Sequence, residues 1–252
     1  MEFIRLSLYV TYRHFVVYKK NFVVNVSPIL LDPIFFMFTL GIGLGAYVDK
    51  IEGMDYISFV APGLAISAAL YTAFFESTYN FFTRLKFEKI YKSMLTTAIG
   101  KNEIIAGELI WVTTKGVFMS TSITILLLIF NIFEFNGYII IVIPLSAFVA
   151  LICGNIGMIA TSYLKDMNQF QAIFAFLIQP MFFFSGIFYP TNDLPSFMSF
   201  LINTSPLYHG VALMQKTLWA TLSLQNVMFH GSILILMSII STIIVFKKVV
   251  IK

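Results

Sequence analysis

The chain has 252 residues, of which 59% are hydrophobic and only 11% charged, with a formal net charge of +4. Soluble domains average about 25% charged residues, so this chain carries too little charge to coat a water-soluble globule, and its mean hydropathy of +0.89 reads as an integral membrane protein. A single cysteine, Cys153, excludes an intramolecular disulfide and a cysteine-built metal site.

In chain order, residues 1–21 come first. Arg5, Arg13, Lys19 and Lys20 are spread through them, so no cleavable secretory signal is expected. Ile4, Leu8, Tyr12 and Phe15 share one helical face, away from Arg5, Arg13 and His14. That spacing predicts an interfacial helix lying on the membrane surface. The alternative is a solvated start to the first membrane helix.

Six apolar spans follow, at about 22–47, 58–82, 105–132, 138–163, 170–189 and 227–246. Each reaches the roughly 20 residues a helix needs to cross ~30 Å of hydrocarbon. Between the fifth and sixth, residues 190–226 are mostly apolar but cut by prolines, which predicts one or two short helices that do not cross. With the N-terminus in the cytoplasm, thirteen of the sixteen Lys and Arg residues fall on the cytoplasmic side. Only Lys50 and Lys216 fall outside, and Lys115 lies within a span. The positive-inside rule therefore places both termini in the cytoplasm.

The longest cytoplasmic stretch lies between spans two and three. Phe87, Ile90, Tyr91, Met94 and Leu95 recur there at helical spacing among Lys86, Glu88, Lys89 and Lys92. This predicts an amphipathic helix over 84–100. Its apolar stripe needs a partner, either lipid or protein.

Several chemistries lack their residues. There is no phosphate-binding loop, since Gly100-Lys101 is followed by Asn102 and Leu95 stands where the first glycine belongs. There is no HExxH, and His14, His209 and His230 fall on different elements, so no metal site is expected. Ser185-Gly186 has no neighbouring His or Asp to make it a nucleophile, and no catalytic residue is assigned. Charged residues inside the spans are the stronger signal: Asp32, Glu76, Glu108 and Lys115. A mid-membrane charge costs about 2.5–3.5 kcal/mol on insertion scales, so such residues pair or face a cavity. Glu108 and Lys115, seven residues apart, share a helix face, with Glu76 as a cross-helix partner. They form either a structural ion pair near the interface or part of a transport path. Tyr71 and Phe75 in span two, and Phe182 and Phe183 in span five, serve as lipid-facing bulk or as a grip on an amphipathic substrate. Gly41 and Gly45 form a GxxxG motif suited to close helix or dimer packing.

Pro180, Ser185-Gly186-Ile187-Phe188-Tyr189-Pro190, Leu194-Pro195 and Ser205-Pro206-Leu207-Tyr208-His209 together resemble the signature of ABC-2 type permeases, the membrane subunits of ATP-binding-cassette exporters. Phe75-Glu76-Ser77-Thr78-Tyr79, Tyr91 to Thr97 and Glu103 to Trp111 are similar to the lipo-oligosaccharide branch, which includes nodulation-factor exporters. The resemblance covers about 55–215. It implies a single all-α transmembrane domain, 1–252, with six membrane helices per subunit, and a dimer with a second copy or a related permease. It implies two separate ATPase subunits that hold the ATP and Mg2+, with no cofactor in this chain and no nucleic-acid partner. The helix of 84–100 then corresponds to a coupling helix that docks on the ATPase, and residues 1–21 to an interfacial helix. Residues 190–226 correspond to an outer lid of re-entrant helices, and Pro180, Ser185, Gly186, Pro190, Pro195 and Pro206 to the lid signature that leads into it and runs through it. Leu95-Thr96-Thr97-Ala98 departs from the family, which often has proline after this motif. The implied location is the cytoplasmic membrane of a prokaryote, and the implied cargo a lipid-linked saccharide. A drug or peptide exporter of the same fold is the alternative, followed by a scaffold or channel without an ATPase.

Overall fold

The computed structural model describes residues 2–23, 26–27, 31, 34–35, 38–39, 43–48, 50–51, 53–191, 194–249 and 251. Among these residues the fold is all-helical, apart from an isolated bridge between Ile51 and Met54. In chain order the helices are α1 (Glu2–Lys20), α2 (Tyr56–Phe87), α3 (Ile90–Met94), α4 (Lys101–Ile129), α5 (Gly137–Tyr163), α6 (Gln169–Phe183), α7 (Ser196–Asn203), α8 (Pro206–Leu218) and α9 (Leu224–Lys248). Four of them, α2, α4, α5 and α9, are long and apolar enough to cross a membrane. They match four of the expected spans to within a few residues. The expected first span, 22–47, is described only in part, and Asp32 and Gly41 lie outside the described residues.

Helix α2 is the centre of the bundle. Phe59 to Leu70 are buried on every side, as expected of a helix that is apolar all round. It packs against α4, α5 and α8. Gly116 of α4 permits a close approach, since a Cβ there would lie 2.6 Å from Ala150 Cβ and 3.3 Å from Ala69 O. Small residues let membrane helices close on one another in this way. Polar side chains then tie the bundle: Ser146 to Ser120 at 2.8 Å, and Asn155 to Ser241 and Thr242 at 2.9 and 3.0 Å.

Two expectations are corrected. The fifth span ends early: α6 stops at Phe183 rather than 189. Fifteen residues rise only about 22 Å, short of the ~30 Å hydrocarbon core. Pro180 lacks the N–H that would bond the carbonyl four residues back. A π turn over Phe174–Ile178 precedes it, and the chain reverses at Gly186 with φ 79°. The amphipathic helix of 84–100 is likewise not continuous. Helix α2 runs on to Phe87, Lys89 adopts φ 54°, and only Ile90–Met94 is helical before the turns that lead to α4. A non-glycine residue in the left-handed region interrupts a helix.

Residues 190–226 do hold two short helices, α7 and α8. Pro195 immediately precedes α7 and Pro206 opens α8, a position where a missing N–H costs nothing. A second apolar cluster closes the opposite end of the bundle. There Phe81, Leu85, Tyr91, Ile104, Leu109 and Val245 bring together α2, α3, α4 and α9.

Candidate functional site

The richest chemistry lies where α1, α2, α3 and α4 meet. Helix α1 is complemented at its ends by Glu2 and by Lys19 and Lys20. Its predicted apolar stripe, Ile4, Leu8, Tyr12 and Phe15, points away from the protein and is exposed. The opposite face, Ser7, Val10 and His14, is buried against α4. Gly107 makes that contact possible: a Cβ there would come within 2.6 Å of Ser7 O, and Thr11 Oγ1 donates to Gly107 O at 2.9 Å. The polar face of α1 is thus the one that docks, which delivers His14 to the interior.

Helix α2 supplies Glu76 and Arg84 from two π turns, Glu76–Asn80 and Thr83–Phe87. A π turn widens the helix by one residue and redirects its side chains. Ser77, Thr78 and Thr83 bond back to Ala73 O, Phe74 O and Tyr79 O, satisfying carbonyls that such turns loosen. Glu76 is 2% exposed, yet its two oxygens receive four donors. Arg84 Nη1 and Trp111 Nε1 donate to Oε1 at 2.8 and 3.1 Å. Lys115 Nζ and Asn80 Nδ2 donate to Oε2, both at 2.7 Å.

Arg84 bridges to the second acid. Its Nη2 donates to Glu108 Oε2 at 2.8 Å, and its Nε donates to the Tyr91 hydroxyl at 3.0 Å. Tyr91 in turn donates to Glu108 Oε1 at 2.5 Å. His14 Nε2 lies 2.6 Å from the same oxygen, close enough for ionic contact but not aligned as a hydrogen bond. Burial and the Glu108 charge hold the Tyr91 phenol well above its usual pKa, so it stays a donor. Burial, and then the Glu76 charge, push Tyr18 up to about 12. Lys115 Nζ sits 5.0 Å above the Tyr18 ring, within cation–π range.

Two carboxylates thus face two cations in a nearly dry site. Buried ions are tolerable only when paired and fully hydrogen-bonded, and Glu76 meets that demand. Beside the network opens a cavity of about 220 Å³, bounded by Arg13, His14, Tyr18, Asn21, Thr83 and Lys115.

The structure sorts the sequence-derived residues. Glu76 and Lys115 do pair across helices, and Glu108 shares their seam but takes Arg84 as its cation. The sequence pattern puts Arg84 in the cytoplasmic stretch and His14 on a face away from the stripe, and neither placement reveals the ion contacts they make here. The eight-residue spacing from Glu76 to Arg84 was the available signal. Tyr91 is 1% exposed and anchors the elbow between α2 and α4, so it is not a surface contact. Of its companions, Phe87 and Leu95 are exposed, at 66% and 39%, while Ile90 and Met94 are half-buried.

The aromatic residues form a different face. Tyr71 packs on Phe182 and Phe174 at 5.3 and 6.0 Å between ring centres, and Phe75 on Phe174 at 5.4 Å. Phe183 joins through Phe182 at 5.5 Å. This column lies between α2 and α6, whereas Glu76 turns to α4, so the five residues expected to act together divide into two sets. Ser185 is buried and donates to Phe182 O at 2.7 Å. Gly186 and Pro190 line a second cavity of about 200 Å³ at the far end of α2, under α8. Gly45 lies in a 3-10 turn, Leu44–Ala46.

Comparison with known proteins adds an independent line. A family model described as ABC-2 type transporter matches residues 6–219. The chain is 28% identical to Nodulation protein J of Rhizobium leguminosarum bv. viciae, over 88% of this chain and 85% of that protein. It is also 28% identical to Nodulation protein J of Rhizobium meliloti, over 79% and 76%. It is 22% identical to the Inner membrane transport permease YadH of Escherichia coli, over 74% and 72%.

Proposed function

The chain belongs to the ABC-2 type transporter family, and from that premise we propose that it is the permease subunit of an exporter for an amphipathic, saccharide-bearing substrate. In this reading it lies in the inner membrane of a bacterium, both termini inside, with six membrane segments. Residues 22–47 supply the first, and α6 together with the turns that follow Phe183 the fifth, since α6 by itself rises only about 22 Å. The energy comes from two ATPase subunits in separate chains, and the path forms between this permease and a second copy or a close relative. Similarity to nodulation proteins of two rhizobia and the motifs of the lipo-oligosaccharide branch support the substrate class.

The elbow between α2 and α4 carries the proposal. Phe87 and Leu95 are exposed there on a segment fastened from beneath by Tyr91 to Arg84 and Glu108. An apolar surface in a basic, cytoplasmic setting needs a protein or lipid partner, and a rigidly anchored one transmits force. Phe87, Ile90, Met94 and Leu95 meet the ATPase in this reading, with Tyr91 holding them. The aromatic column of Tyr71, Phe75, Phe182 and Phe183 contacts the substrate, and α7–α8 close the outer end. Glu76 keeps the inner end in shape.

The test is reconstitution with the partner ATPase in liposomes. Phe87→Asp and Met94→Asp should abolish substrate-coupled transport while the permease still folds and inserts. Unchanged coupled transport in both variants would remove the elbow from the ATPase contact. Failure of mild-detergent purification to bring down any ATPase would remove the exporter reading itself.

A further inference from the structure

The cavity of about 200 Å³ under α8 is lined by side chains whose hydrogen-bonding roles are set from behind. His209 is fully buried, and its Nε2 lies 2.9 Å from the carbonyl oxygen of Asn203. Burial lowers the His209 pKa, against the pull of that carbonyl, and keeps the ring neutral. A carbonyl only accepts, so the His209 proton sits on Nε2 and its Nδ1 accepts. His230 Nδ1, 2.8 Å away, is then the donor, which leaves His230 Nε2 as a bare acceptor. Among the described residues that atom is neither bonded nor enclosed, and His230 lines the cavity. Gln215 is fixed in the same way. Its amide nitrogen reaches the carbonyl oxygens of Phe59 and Gly186, both at 3.4 Å, so Oε1, on the other side of the amide, is a second acceptor.

We propose that this cavity binds one neutral sugar ring of a saccharide on the outer side of the membrane. The pattern of donors and acceptors selects the ligand. The two fixed acceptors, His230 Nε2 and Gln215 Oε1, call for O–H or N–H groups. A carboxylate or sulfate offers only acceptor oxygens and meets those lone pairs unfavourably. Lys216, in the same cavity, supplies the complementary donor. A polyhydroxyl ring answers both kinds of group, because each hydroxyl donates and accepts. The wall supplies the apolar half of the site. Trp219 and Phe59 pack with ring centres 5.8 Å apart and 31° between their planes, and Trp219 Nε1 donates to Ser58 O at 3.0 Å. That bond uses the polar atom of the indole and leaves its negative π face for the C–H side of a sugar.

Size sets the extent of the ligand. Drug-sized molecules fill pockets of about 300–1,000 Å³, so a cavity of about 200 Å³ admits a single ring and leaves the rest of the saccharide outside. The site deepens the exporter reading and rests on it for placing the cavity on the outer side, where an exported head group arrives. Binding itself needs only this chain.

The experiment uses the full chain in lipid nanodiscs without an ATPase, with empty nanodiscs as the blank. Maltose, lactose, cellobiose and di-N-acetylchitobiose are added in turn, and sodium sulfate is the anion probe. Binding is read by saturation-transfer NMR. Its place is read by the emission of Trp219, because the other tryptophan, Trp111, lies in the inner network. At least one disaccharide should saturate, at roughly millimolar Kd, the strength of a few exchanged hydrogen bonds. Gln215→Leu and Lys216→Met, each melting as wild type, should weaken that binding by about tenfold, the equivalent of one hydrogen bond. Saturation by sulfate, or by none of the sugars, overturns the proposal, as does undiminished sugar binding in both variants. A chain that binds sugar yet never purifies with an ATPase keeps this site and loses the exporter reading. One that couples to an ATPase yet binds no sugar does the reverse.

Discussion

At the residue scale the informative side chain is Glu76. It is nearly inaccessible and holds Arg84, Lys115, Trp111 and Asn80. Its charge faces two cations, Lys115 and the Arg84 it shares with Glu108, and removing one partner of a buried pair costs roughly 3–5 kcal/mol, because the partner charge is left uncompensated. Glu76→Gln should therefore lower the thermal midpoint in detergent. Adding Lys115→Met should recover part of the loss, because the orphaned ammonium goes too. Equal melting of Glu76→Gln and wild type would show that the pair carries no stability. Tyr91 makes a finer probe. Tyr91→Phe keeps the ring among Phe81 and its neighbours but removes the donor to Glu108, a hydrogen bond to a charged group worth about 1.5–3 kcal/mol. The expected result is a smaller destabilisation than Glu76→Gln, together with faster hydrogen exchange in Ile90–Met94. Unaltered exchange there would mean that the hydroxyl does not anchor the elbow.

At the element scale, α1 is held by its polar face, and that reverses the intuition its apolar stripe invites. The stripe of Ile4, Leu8, Tyr12 and Phe15 is left exposed, while Ser7, Val10 and His14 dock on Gly107 of α4. Gly107→Val puts side-chain carbon where Ser7 O and Val10 Cβ already stand. Overpacking of this kind costs about 1–3 kcal/mol, and the cheapest relief is for α1 to lift away. Trypsin should then cut faster at Lys19 and Lys20 while the rest of the bundle stays resistant. Cleavage at the wild-type rate would show that the close approach at Gly107 does not hold α1. Helix α6 gives the complementary lesson. Its composition reads as a crossing span, but a π turn, Pro180 and the reversal at Gly186 stop it at Phe183.

For the whole molecule, the charge asymmetry predicts which ends of the bundle face the cytoplasm. Cys153 is buried, so replacing it with Ala clears the background for single-cysteine labelling. Cysteines at positions 50 and 216 should react with an impermeant maleimide in intact cells, and those at 89 and 165 only after permeabilisation. The opposite pattern would invert the topology. The sequence by itself determined the membrane class, four helices long and apolar enough to cross, the presence of short helices after Pro190 and the family signature. Those features rest on local quantities: apolar run length, proline position and the side on which Lys and Arg accumulate. Only the tertiary structure decided which charges meet. Arg84 and Tyr91 read as members of one amphipathic helix, Tyr91 on its apolar stripe, because nothing local marks a π turn or the left-handed Lys89 that folds the elbow back under α4. His14, and the pair His209 and His230, came from helices whose mutual rotation is set by glycine contacts and packing. A one-dimensional pattern places a residue on a face of its own helix; which neighbour that face meets is fixed by the other helices.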